Sequence, residues 1–202
     1  MNLFLYQLNY TNEYSNRGKT NMLYLDFKEI PVLITPRLIL RPLCTEDAYR
    51  IHLIRSDKDL NKYLDRRIST GIADAEAHIL MIENLVKKKQ SMNWAIVEKE
   101  EDILIGTIGF WNFDVENEIV EIGYELLPSY QGKGLMIEAM KQVIKFGFEQ
   151  MNAQSITAFP SVENRKSIAL LERAKFSNAH TGSIILNPHE SFMNMATYIL
   201  NR

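Results

Sequence analysis

Read along the chain, the pattern of apolar and polar positions changes period several times. Arg37-Leu38-Ile39-Leu40-Arg41-Pro42-Leu43 alternates as a strand. Thr45-Glu46-Asp47 follows as an N-cap and acidic first turn for a helix to about residue 55. A short helical piece is expected over 57–64. A longer helix is expected over 74–89, with Ala75, Ile79, Ile82 and Val86 on one stripe and Lys87-Lys88-Lys89 at its C-terminal end. The runs 93–98, 104–113 and 119–127 then read as strands joined by short polar turns, an antiparallel meander. Beyond Pro128 a two-glycine turn opens a helix over 134–150, with Met136, Met140, Val143 and Gly147 facing the core and Ile144 and Phe148 one face over. A strand over 155–160, a helix over 164–174 and a hairpin from 176–186 and 192–200 complete the order.

This is one mixed α/β domain rather than a regular alternation of parallel units. A sheet of six to seven mostly antiparallel strands flanked by about four helices is expected, over residues 27–202. Residues 1–26 read as an N-terminal extension without periodicity, rich in Asn, Tyr and Thr over 1–21.

Length and composition fit a single domain of an ordinary globular protein: 202 residues, 46% hydrophobic and 24% charged. Basic and acidic residues number 23 and 25, a net charge of −2. A dominant basic surface is therefore missing, which argues against nucleic acid as a partner. No stretch approaches the roughly 20 apolar residues of a membrane helix, so no membrane partner is expected. With Cys44 as the only cysteine, no intrachain disulfide can form, and a reducing cytoplasm is the natural compartment. Cys44 has no nearby histidine in the sequence to activate it and reads as a small buried residue. His52, His78, His180 and His189 have no metal-like spacing, so no metal is expected.

The most informative segment is Pro128-Ser129-Tyr130-Gln131-Gly132-Lys133-Gly134, where a strand turns into a helix through two glycines. Glycines let backbone N–H groups converge, and a helix N-terminus adds about half a positive charge, so the turn can cradle a phosphate. It is not a P-loop, because Lys133 is followed by glycine and the first glycine is missing. Nor is it a dinucleotide fingerprint, because the third glycine position holds Ile137. A purely structural turn fits the same letters.

The segment Gln131-Gly132-Lys133-Gly134-Leu135-Met136 resembles the cofactor motif of the GNAT acetyltransferases, Gln/Arg-x-x-Gly-x-Gly/Ala, departing from it at Met136. With Glu138-Ala139, with Thr35-Pro36-Arg37-Leu38-Ile39-Leu40-Arg41 and with the Asn-x-x-Ser helix from Asn164 to Phe176, it resembles the ribosomal-protein (RimJ/RimL-like) branch of that family. The resemblance implies acetyl-CoA as cosubstrate, lying where the sheet splays, and acetyl transfer to a primary amine on a protein N-terminus or a small molecule.

Carried onto this chain, the resemblance implies that Leu126 and Leu127 contact the pantetheine arm and supply an oxyanion N–H. Gln131, Gly132, Lys133, Gly134, Leu135 and Met136 would cradle the pyrophosphate. Asn164 would bind pantetheine, cap its own helix, or do both. The tyrosine that many members use as general acid is replaced by Leu171, and the branch points instead to Ser167, for which local capping is the alternative. Glu121 and Glu125, four apart on one strand face, are the candidates for general base. Trp111 and Phe113 are candidates to line the acceptor pocket. Lys175 stands where the family has a glycine helix cap. Two other readings stay open: an acyl-CoA-binding module without catalysis, and a nucleotide-phosphate enzyme. Exposed strand edges could also pair two copies into a homodimer.

Overall fold

The computed structural model describes residues 22–179 and 194–202. The strands β1 (Leu33–Ile34), β2 (Leu38–Arg41), β3 (Ser91–Glu98), β4 (Ile103–Asp114), β5 (Ile119–Leu126), β6 (Ser155–Ala158), β7 (Ser177–Asn178) and β8 (Tyr198–Asn201) form one sheet. Their order is β1-β2-β3-β4-β5-β6-β8-β7, antiparallel throughout except for β5 beside β6. The helices are α1 (Ala48–Ser56), α2 (Lys58–Asn61), α3 (Ile72–Lys87), α4 (Leu135–Glu149) and α5 (Arg165–Arg173). The expected mixed α/β fold is therefore present, with eight strands in place of six to seven. The two-residue β1 is too short to leave a periodic signal.

Alternation along the strands sends side chains to two cores. Trp94, Ile108, Phe110, Val120 and Ile122 meet Met136, Met140, Val143 and Phe146 of α4 on one face. Ala95, Val97 and Leu104 meet Ile51, Ile54, Ala75 and Ile79 of α1 and α3 on the other. Trp94 is fully buried, edge-on to Phe110 and Phe146, and donates to the Pro31 carbonyl at 2.8 Å.

Local departures have physical causes. Thr45–Asp47 forms a 3-10 turn ahead of α1, and Asp47 is held by a double hydrogen bond from Arg41 at 2.7 Å each. A bulge at Asn112, φ 47°, shifts the β4–β5 register between Trp111 and Asp114. Phe113, half-buried, packs against the α4 core. Lys175 adopts φ 73°, with Phe176 N–H on the Leu171 carbonyl and Lys175 N–H on that of Glu172. The left-handed cap is thus kept although the glycine is not.

Leu23, in the expected extension, is buried in the main core, and Tyr24 N–H bonds the Met151 carbonyl at 2.7 Å. Residues 1–21, most of the expected hairpin strand 176–186, His180 and His189 lie outside the described residues. Among the described residues the sheet ends in β1 and β7, two residues each. Among the described residues, no helix is long and apolar enough to cross a membrane, and no cluster of three metal-ligating side chains occurs.

Candidate active site

The site begins where two neighbouring strands part. β5 pairs with β6 only at Ile119↔Ser155, Val120↔Ile156 and Glu121↔Thr157, yet β5 continues to Leu126. Its far end stays registered on β4, Gly106 opposite Leu126, with Leu127 N–H on the Ile105 carbonyl at 2.9 Å. In that antiparallel register the main-chain groups of Tyr124 and Leu126 point away from β4, into the gap left by β6. Leu126 therefore fits the expected N–H donor. Leu127 does not, because β4 already takes its N–H and its side chain joins the α1/α3 core.

A turn of Pro128–Tyr130 then leads into α4. Gly132 and Gly134 have φ of 77° and 76°, the left-handed region that L-side chains avoid. Gly134 is the N-cap of α4 and has no side chain to satisfy the helix's first donors. The first N–H of this helix to find a carbonyl is that of Glu138, on Gly134 at 3.3 Å. A Cβ at Gly132 would meet nothing within 4 Å, so the concavity is open. Open donors, left-handed glycines and a positive helix end together suit a pyrophosphate.

The turn is stapled from outside its own sequence. Glu138, in the first turn of α4, accepts from Thr35 Oγ1 at 2.7 Å, from Arg37 N–H at 2.8 Å and from Arg37 Nε at 2.7 Å. Arg37 Nη1 also donates to the Lys133 carbonyl at 3.0 Å. Burial raises the Glu138 carboxyl, but these donors outweigh it and hold the group below its ordinary pKa. The Gln131 side chain donates to the Leu126 carbonyl at 3.0 Å and accepts from Lys166 at 3.2 Å, bridging β5 and α5. The Lys133 ammonium lies over the Tyr130 ring, 5.1 Å from its centre. Leu135 and Met136 are buried beneath the turn.

On the α4/α5 side of the sheet, Asn164 caps α5, its Oδ1 accepting from Ser167 N–H at 3.1 Å. Ser167 Oγ lies 2.8 Å from the Tyr124 hydroxyl. Burial pushes that phenol up to about 12, against the pull of the serine, so it stays protonated. A tyrosine hydroxyl thus reaches Ser167 from β5, while α5 itself carries Leu171. Sequence reasoning overlooked that hydroxyl, although Tyr124 lies in the segment that carries most of the motif.

The opposite face holds both candidate bases, and they differ. Glu125 is gripped by Arg66, Nη1 on Oε1 at 2.8 Å and Nη2 on Oε2, so both oxygens are engaged. Glu121 is half-buried and takes one donor, Asn112 Nδ2, at 2.7 Å. Burial raises its pKa, partly offset by Asn112 and Trp111. Between the two carboxylates lies Gly123, where the Trp111 ring occupies the space a Cβ would need. The neighbouring Asn93, 7% exposed, leaves its Oδ1 without a hydrogen bond among the described residues. Cys44 is not activated: burial, then hydrogen bonds with Glu46 and Asp47, push its thiol up to about 11.

The sheet splays at its parallel pair, and a glycine turn feeds a helix at the open end. Residues 37–177 match the acetyltransferase (GNAT) domain family, and the chain belongs to that family. It is 38% identical over 144 residues to the uncharacterized N-acetyltransferase p20 of Bacillus licheniformis, covering 71% of this chain and 81% of that protein. A GNAT-family acetyltransferase from Bacillus anthracis has the same fold at 24% identity and a TM-score of 0.71, over 85% of this chain and 98% of that one. RimL, a ribosomal L7/L12 α-N-protein acetyltransferase solved with coenzyme A, is similar in fold at 21% identity and a TM-score of 0.70, over 85% and 97%.

Proposed function

We propose that this chain transfers the acetyl group of acetyl-CoA to a primary amine, on a protein N-terminus or a small molecule, by direct attack within a ternary complex. The observation that carries this reading is the gap between β5 and β6 opening onto the Gln131–Gly134 turn. Acetyl-CoA supplies the acetyl thioester. The N–H groups from Gly132 to Met136 bind its pyrophosphate, and the freed edge of β5 at Tyr124 and Leu126 binds its pantetheine arm.

Glu121 takes the proton that the ammonium must lose before its nitrogen can attack. A carboxyl raised by burial is better matched to that work than one locked in an arginine fork. Leu126 N–H stabilises the oxyanion as the C–N bond forms. The C–S bond then breaks as the adduct nitrogen loses its second proton to solvent; Ser167, positioned by Asn164 and Tyr124, gives its hydroxyl proton to the departing thiolate and regains one from solvent through the Tyr124 phenol. The Tyr124 phenol is the adjacent proton reserve.

Thiol release from acetyl-CoA, followed across a panel of amines, tests the proposal. Amine-dependent release supports it. Tight CoA binding with no turnover on any amine would point instead to an acyl-CoA-binding module without catalysis.

A further inference from the structure

The face of the sheet that carries Glu121 and Glu125, covered by α1 and α3, holds a charge imbalance that the chemistry above does not use. Arg66, whose side chain is 16% exposed, is committed to Glu125 and donates through Nε to Asn61 Oδ1 at 2.5 Å. Arg55, at the end of α1, has no such partner: among the described residues no carboxylate lies within ion-pair distance of it. Among the described residues its side-chain hydrogen-bond partner is His78 Nε2 on α3, 3.5 Å from Nη1. His78 adds no counter-charge and no second cation, because burial, then the fields of Arg55 and Arg66, drive its pKa down to about 3.

The Arg55 guanidinium feels burial first and repulsion from Arg66 next, both disfavouring its charge, with Glu125 and Asp74 opposing them. Asp74 is taken up at the rim by Thr70 N–H at 2.8 Å, Thr70 Oγ1 at 2.7 Å and Arg67 at 3.7 Å. His52, the other imidazole of this layer, is bonded to Ser69 Oγ at 2.8 Å. Around His78, the Arg66–Glu125 pair and a neutral imidazole therefore leave the Arg55 guanidinium without a counter-charge; Arg50, nearer the start of α1, is turned to the Leu104 carbonyl at 2.7 Å. Arginine is always charged, and leaving it unpaired under cover is costly, so such a group is suited to a ligand that completes it.

We propose that the amine acceptor also carries an anionic group, a carboxylate or a phosphate, and that Arg55 binds it between His78 and the Arg66–Glu125 pair. This rests on the acetyl-transfer reading for its amine but not for its anion. Glu125 then serves to fix Arg66. A polyamine, cationic at both ends, would face Arg55 with the wrong sign and be refused.

Calorimetry on the CoA-loaded protein tests this with four probes: β-alanine, O-phosphoethanolamine, propylamine and putrescine. One of the two anionic amines is expected to bind at least tenfold more tightly than propylamine, and which one distinguishes carboxylate from phosphate. Arg55→Gln is expected to abolish that preference, and Arg55→Lys to restore part of it, with CoA affinity unchanged in both. Equal binding of propylamine or putrescine, or a preference that survives Arg55→Gln, overturns the proposal. Should Arg55→Gln fail to fold, Arg55→Met carries the same comparison. Should the protein fail to bind CoA, the transferase reading falls, and the same ranking on the CoA-free protein still decides the role of Arg55.

Discussion

The hydroxyls of Tyr124 and Ser167 stand 2.8 Å apart, joining the middle of β5 to the first turns of α5. In the proposed mechanism that contact stands in for the phenol that α5 lacks at Leu171. Ser167→Ala is expected to lower kcat on the order of 100-fold, the lower range for loss of a positioned acid, with CoA affinity unchanged. Tyr124→Phe keeps the serine and its cap from Asn164, so its loss should be smaller. Steady-state kinetics beside CoA titration check both; a normal kcat in Ser167→Ala removes the serine from the chemistry.

Glu121→Gln should reduce turnover at neutral pH and remove the acidic limb of the pH–rate profile. The sign follows from the raised pKa: the wild-type base is lost as pH falls through a value above the usual carboxylate range. Glu125→Gln should instead release Arg66 and act on acceptor KM while leaving that limb in place. An acidic limb that persists in Glu121→Gln contradicts the assignment.

His78 makes stability depend on pH well above the carboxylate region. Its pKa is about 3 when folded and near 6.5 when unfolded, so below 6.5 the unfolded chain binds the proton and the folded one does not. Stability is fully present above 6.5 and declines as pH falls towards 3, by at most about 1.4 kcal/mol per unit. Between pH 6.5 and 5 the loss should reach up to about 2 kcal/mol, and His78→Asn should flatten it. Denaturant unfolding at four pH values measures this, and an unchanged slope in the variant would show that His78 is not its source.

Lys175 pays for a left-handed backbone with no functional return. Lys175→Gly should stabilise the protein by about 1 kcal/mol, seen as a rise of a few degrees in Tm, without change in activity. A lower Tm would mean that the lysine side chain contributes more than its strain costs.

Periodicity made most of the fold legible because each long element has one apolar face: α4 with Met136, Met140 and Val143, and the β3–β5 meander with its alternation. Two kinds of information were not local enough to read. The bulge at Asn112 depends on cross-strand register, and Phe113 beyond it packs against the α4 core. The Arg37–Glu138 staple joins residues 101 apart, so the Thr35-Pro36-Arg37 segment was visible as a motif but not as the clamp on the glycine turn. At the site, the glycine turn into a helix N-terminus could be read from its letters. Glu121 and Glu125 could not be told apart, because the Arg66 fork reaches Glu125 across 59 positions of sequence.

The turn itself offers the most direct test. Gly132→Ala places a methyl in open space at φ 77°, so its effect should be strain alone, about 1 kcal/mol, with modest loss of CoA affinity. Gly134→Asp adds a carboxylate at the helix N-cap, where the pyrophosphate is expected to lie. The decisive measurement is calorimetric titration of CoA into wild type and Gly134→Asp, with folding checked by thermal melting. CoA should bind the wild type and lose at least tenfold in affinity for the folded variant; equal affinity in the two would contradict the account.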